Sequence, residues 1–175
     1  MKPKISVVIV SDYGSGDAKG WNDLRETLTA LAQQDYQGPV EYLLVESSAF
    51  ASEVPADLTD LLPGLTTIFF DVESSYALKN EGAKVAKAEL IGVLDGDCAP
   101  DAGWVRCLVK TFDEFPDAAV VSGRTIYRSS SVTERIIGLL SRGYLDRGVA
   151  GPTDSIANNN AGFTREALLA PPFPG

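Results

Sequence analysis

Short apolar runs recur along the chain at 5–10, 40–45, 65–72, 90–94 and 118–121, each bounded by turn residues. They are continuously apolar rather than alternating, which is the pattern of strands buried on both faces of a largely parallel sheet. Between them the period changes to that of a helix. Segment 21–34 spaces Leu24, Leu28 and Leu31 along one face, and 76–88 is rich in Ala and Lys with one polar face. Segment 101–115 repeats the pattern with Trp104, Val105, Leu108 and Phe112, and Asp101 is placed to cap it. The alternation predicts an open α/β domain, a mostly parallel sheet flanked by helices with a nucleotide-binding, Rossmann-like core. Segment 131–145 adds an amphipathic helix with Ile136, Leu140 and Tyr144 among arginines. Such a face either packs into the core or makes peripheral contact with a membrane or partner.

Composition narrows the function without naming it. A chain of 175 residues buries enough surface to fold without staples, so residues 1–175 are read as one domain. Its net charge of −9, with no dense run of Lys or Arg, argues against nucleic acid as a partner. An acidic protein that binds an anionic ligand must supply local positive charge from a metal or a few placed cations. Cys98 and Cys107 occur without any His, so neither a zinc site nor a disulfide framework is expected. The opening apolar run is too short for a signal peptide and no stretch reaches the length of a membrane span. The expected location is cytoplasmic, with the inner face of the membrane left open through 131–145. Residues 170–175 read as a loop cut short, so the domain is expected to be incomplete at its C-terminal side.

The candidate chemistry sits at the end of the fourth apolar run, where Asp95-Gly96-Asp97 follows Leu94. Ligands of open α/β sheets bind beyond the carboxyl ends of strands, where Asp95 and Asp97 would stand. Two hard oxygen donors suit Mn²⁺ or Mg²⁺, which would coordinate a diphosphate. Gly96 is read as making room for the ligand. The triplet alone is equally an Asp-Gly turn, and phosphatases of the haloacid-dehalogenase type also place Asp-x-Asp after an apolar strand. Those enzymes carry it after the first strand and complete it with Thr or Val; here it follows the fourth and is completed by Cys98.

The surrounding segments extend the case across nearly the whole chain. Ile5-Ser-Val-Val-Ile9 resembles the opening strand of the family 2 glycosyltransferases of GT-A fold, and Leu24 through Tyr36, with Gln34, resembles their first helix and its closing SLxxQxY. The run Glu41 to Ser48 is similar to the second strand, whose terminal acid, Glu46 here, contacts the nucleoside in that family. Leu78-Lys79-Asn80-Glu81-Gly82 resembles the ARNxG segment, Asp95-Gly96-Asp97 the DxD motif, and Asn160 through Leu168 the NxAFRREAL stretch that lines the sugar pocket. The family's Pro-Thr-Tyr-Asn is Val10-Ser11-Asp12-Tyr13, Glu46 replaces Asp, and Lys79 replaces Arg with loss of the bidentate fork.

The resemblance implies inverting, metal-dependent transfer of a sugar from a nucleoside diphosphate, with UDP-sugars favoured, to a glycan or lipid-linked acceptor, as in polysaccharide or cell-envelope synthesis. It implies donor contacts from Ser11, Asp12, Glu46, Lys79, Asn80, Asp95 and Asn160, and a metal on Asp95 and Asp97. Glu46 and Asp95 are expected to end neighbouring strands. The usual catalytic base lies beyond Gly175, with Asp154 the one acid considered as a stand-in. A binding module that holds nucleotide without turnover and the Mg²⁺-dependent phosphatase are the alternatives.

Overall fold

The computed structural model describes residues 2–11, 21–126, 132, 133, 136, 149–153, 155–170 and 173. Asp12, Asp154 and nearly all of segment 131–145 lie outside the described residues.

Strands β1 (Ile5–Val10), β2 (Val40–Ser47), β3 (Leu65–Phe70), β4 (Leu90–Asp95), β5 (Val120–Ser122) and β6 (Asn160–Thr164) form one sheet in the order β3-β2-β1-β4-β6-β5. The first four pair in parallel, and β6 runs antiparallel to both β4 and β5. The mostly parallel α/β sheet expected from the apolar runs is therefore present. The run at 90–94 is the fourth strand, as read. Every residue of β1 is buried, as a central strand covered on both faces requires, whereas the edge strand β3 exposes Thr66 and Phe69.

Helices α1 (Asn22–Ala32) and α4 (Trp104–Glu114) cover one face through Leu24, Leu28, Leu31, Val105 and Leu108. Helices α3 (Ser75–Val85) and α5 (Arg165–Leu169) cover the other through Leu78, Ala83 and Leu168. A short α2 (Leu58–Leu61) precedes β3. Trp21 enters α1 in the left-handed region, φ 67°, with its ring buried. Gln34 joins α1 to α4 by donating to Asp101 O at 2.8 Å and accepting from Val105 N at 2.9 Å.

Two expectations are corrected, and one strand is added. Helix α4 is capped by Gly103 rather than by an Asp101 side chain; Asp101 contributes only its carbonyl, to Trp104 N at 2.9 Å. Glu46 and Asp95 do not end neighbouring strands, because β1 lies between β2 and β4. Asn160 to Thr164 is a strand, held by ladders on both sides rather than by its own apolar content.

Candidate functional site

Strand register brings the candidate residues to one edge. Val10 pairs with Val45 on one side and Asp95 on the other, so Ser11, Glu46 and the Asp95 turn meet at the carboxyl ends of β1, β2 and β4. The antiparallel β6 enters at the same level, with Asn160 opposite Leu94 and Asn159 O accepting from Asp95 N at 3.3 Å.

The Asp95-Gly96-Asp97-Cys98 segment is a β-turn closed by Cys98 N donating to Asp95 O at 3.0 Å. Gly96 N donates to Val10 O at 2.8 Å, and the buried Thr27 hydroxyl donates to Gly96 O at 2.8 Å. Both sides of Gly96 are thus pinned, which aims Asp97 at solvent; its carboxylate is exposed and meets Cys98 Sγ at 3.4 Å. A Cβ on Gly96 would stand 3.1 Å from Ser11 Cα and 3.2 Å from Val10 O. Glycine at this position lets the turn approach the end of β1 closely.

Asp95 is held by Lys79. The ammonium lies 2.6 Å from Asp95 Oδ1, donates to Asn158 O at 3.3 Å and stands 5.5 Å from the centroid of the Tyr76 ring. Lys79 is only 2% exposed, so it is no surface helix charge. Its reach depends on Gly82, where a Cβ would come within 2.5 Å of Val8 Cγ1 and 3.0 Å of Val45 Cγ2. Without a side chain there, α3 settles onto β1 and β2 and brings Lys79 to the sheet edge.

Glu46 is 1% exposed. The Ser11 hydroxyl donates to its Oε2, and Ser47 N donates to Oε1 at 2.7 Å. Burial raises the carboxyl above its ordinary value, since desolvation outweighs the two hydrogen bonds that favour the anion.

Asn80 and Asn160 occupy the same edge but spend their amides internally. Asn80 Nδ2 donates to Phe173 O at 2.9 Å and its Oδ1 accepts from Phe173 N at 3.0 Å. Asn160 Oδ1 accepts from Trp104 Nε1 at 2.7 Å, and its Nδ2 donates to Arg124 O at 3.2 Å. Both amides thus brace the walls of the edge. Arg165 is likewise structural, its guanidinium donating to Ala86 O and, at 2.7 Å, to Lys84 O behind α3.

Thr27, Tyr76, Asn159 and Phe173 were missed from sequence. Only Thr27 carried a signal, a polar residue at a core-facing position between Leu24 and Leu28.

Among the described residues no group of three His, Cys, Asp or Glu side chains could hold a metal alone. The donor set still fits Mn²⁺ or Mg²⁺, because these ions bind through one or two carboxylates and complete their shell with water and substrate phosphate. Asp97 is the exposed carboxylate; Asp95 has one oxygen committed to Lys79. Among the described residues, no helix is long and apolar enough to cross a membrane.

Solved structures share this architecture. A mannosyltransferase from Pyrobaculum calidifontis, determined with GDP-Man and Mn²⁺, superposes with a TM-score of 0.66 at 21% identity, covering 99% of this chain and 48% of its own. S. aureus TarS, as the fragment 1–349, gives 0.59 at 16% identity over 95% and 48% of the two chains. The same fragment with UDP-GlcNAc gives 0.56 at 19% identity over 95% and 46%. These identities speak to the fold, and the chain spans about half the length of each neighbour. No curated protein sequence matches it. The sequence profile of glycosyl transferase family 2 matches residues 7–169, taking in the Ser11, Glu46, Lys79, Asp95-Gly96-Asp97 and Asn160 positions in order, and the chain belongs to that family.

Proposed function

We propose that this chain binds a nucleoside-diphosphate sugar at the carboxyl edge of β1, β2 and β4, as the donor-binding part of a metal-dependent, inverting glycosyltransferase. The observation that carries the reading is the Asp95 turn, which presents an exposed Asp97 beside an Asp95 fixed by a buried lysine. Neighbours of the same fold solved with GDP-Man and Mn²⁺, and with UDP-GlcNAc, support it.

Asp97, with Asp95 adjoining, would hold Mn²⁺ or Mg²⁺, whose positive charge would offset the developing diphosphate leaving group. Lys79 holds the Asp95 carboxylate in one orientation, from which it accepts a ribose hydroxyl of the donor. Ser11 donates its hydrogen bond to Glu46 and so meets an N–H of the nucleobase as an acceptor, with a UDP-sugar as the favoured donor. Glu46 acts through Ser11. Asn80 and Asn160 hold the walls between which the sugar lies. The acceptor is a glycan or lipid-linked hydroxyl of polysaccharide or cell-envelope synthesis, met on the cytoplasmic side. We assign no base among the described residues.

In the phosphatase alternative Asp95 would be the nucleophile, but the triplet follows the fourth strand rather than the first, and the chain belongs to glycosyl transferase family 2. Release of nucleoside diphosphate from UDP-, GDP- and other sugar nucleotides, with p-nitrophenyl phosphate as control, tests the proposal. Mn²⁺-dependent turnover of one sugar nucleotide is expected; hydrolysis of the phosphomonoester alone, or retention of no nucleotide in equilibrium dialysis, would reject it.

A further inference from the structure

After β6, α5 packs at the C-terminal end of α3, and Phe173 lies at its middle and first turn, nearer the candidate site. Arg165 binds the carbonyls of Lys84 and Ala86, Leu168 is buried with Leu78 and Ala83, and Phe173 reaches Asn80 and Tyr76. Asn80 takes both the N–H and the C=O of Phe173, as a neighbouring strand would. This fixes the backbone there without any secondary structure. The Phe173 ring then wedges between two elements, 5.6 Å from the Tyr76 ring on α3 and 5.9 Å, edge to face, from Phe163 on β6.

Lys79 spans the same two walls from within. It projects from α3 and binds Asp95 at the end of β4 and Asn158 just before β6, with its ammonium beside Tyr76. A polar bridge inside and an aromatic wedge outside therefore set one distance, that between α3 and the β4–β6 edge. A buried ammonium keeps its geometry only while its surroundings exclude water, and Tyr76, its aromatic neighbour, is held by Phe173.

We propose that Asn80 and Phe173 are positioning residues for the donor site: their latch keeps Lys79 buried against Asp95, and its release weakens nucleotide binding. The inference rests on the donor reading of the site. Its first readout, the reactivity of Lys79, needs no nucleotide.

The test labels the protein with an amine-acetylating reagent and maps modified lysines by mass spectrometry, with exposed Lys110 as internal reference, alongside calorimetric titration of UDP in Mn²⁺. The variants are Phe173→Ala, Phe173→Leu, which keeps most of the apolar volume, and Asn80→Asp, which matches Asn in size but sets an oxygen against Phe173 O. In the native protein Lys79 should label far more slowly than Lys110. Phe173→Ala and Asn80→Asp should each raise Lys79 labelling about tenfold and weaken UDP by about five- to tenfold, the scale of one or two lost interactions. The double variant should be no worse than either single one, since both open the same latch. Phe173→Leu should recover part of both effects. Lys79 labelling at the native rate in folded Asn80→Asp would overturn the proposal, as would raised labelling with UDP affinity unchanged. Native protein that binds no nucleotide would instead sink the donor reading, while the labelling arm still reported on the latch.

Discussion

Lys79→Met removes the ammonium and keeps the stem, and so isolates the ion pair with Asp95. At 2.6 Å and an effective dielectric constant of about 20, the gross attraction is about 6 kcal/mol. Burial of the ammonium takes back several kcal/mol of this, so the pair's net contribution is small. Removing one partner is different, because the remaining carboxylate keeps its desolvation cost and loses its compensation. A fully buried orphan costs about 3–5 kcal/mol. Asp95 retains 27% side-chain exposure, and water can reach part of it, so a loss of about 2–3 kcal/mol is expected. Urea denaturation at neutral pH measures it, with Asp95→Asn and the double variant completing a cycle. Asp95→Asn should recover much of the loss in the Lys79→Met background, giving a coupling of about 1–2 kcal/mol. A loss below about 0.5 kcal/mol with no coupling would mean that the pair is not formed in solution, and the account of Asp95 orientation would go with it.

Glu46→Gln should raise stability at neutral pH, since burial raises the carboxyl. Such a group favours folding most when protonated, and its contribution declines as pH rises from the unfolded value through the folded one. The advantage of Gln in thermal melts should therefore shrink towards acid pH. The Ser11 hydroxyl must then reverse to accept from Gln, so UDP affinity should fall by about 1–3 kcal/mol, read by calorimetry. Glu41, at the opposite edge, buries a carboxylate that accepts from the Ser6 hydroxyl and Lys87 N and pairs with Lys87 Nζ at 2.9 Å. Burial alone would raise its pKa, but these hydrogen bonds and the Lys87 charge bring it below its ordinary value. Its stabilisation is present above the unfolded carboxylate value and is lost as pH falls through the lower folded one. Glu41→Ala should cost about 1–3 kcal/mol at pH 7, with the gap to native closing in strong acid. Gly82→Ala should destabilise by about 1–3 kcal/mol in urea, because the added methyl meets Val8 at 2.5 Å.

The sheet was legible because its central strands β1 and β4 are apolar along most of their length, a pattern set by burial on both faces rather than by distant partners. Strand β6 was not, since Asn-Ala-Gly-Phe-Thr has little strand character and owes its conformation to ladders with β4 and β5. The same limit applied within the site. Lys79, Asp95 and Glu46 were found by residue type and order, but pairing between positions far apart in sequence decides what each does. Nothing local to Asn80 shows that Phe173 uses its amide. The close approach of Gly96 to the end of β1 was hidden for the same reason, since it is a matter of register.

Diphosphate binding should depend on a divalent cation held by Asp97. Calorimetric titration of UDP into the native chain and Asp97→Ala, each in Mn²⁺ and in EDTA, tests it most directly. The native protein should bind at least about tenfold more tightly in Mn²⁺, equivalent to about 1.4 kcal/mol, and Asp97→Ala should bind weakly and alike in both. Equal native affinity in Mn²⁺ and EDTA, or a metal dependence that survives Asp97→Ala, would contradict the account.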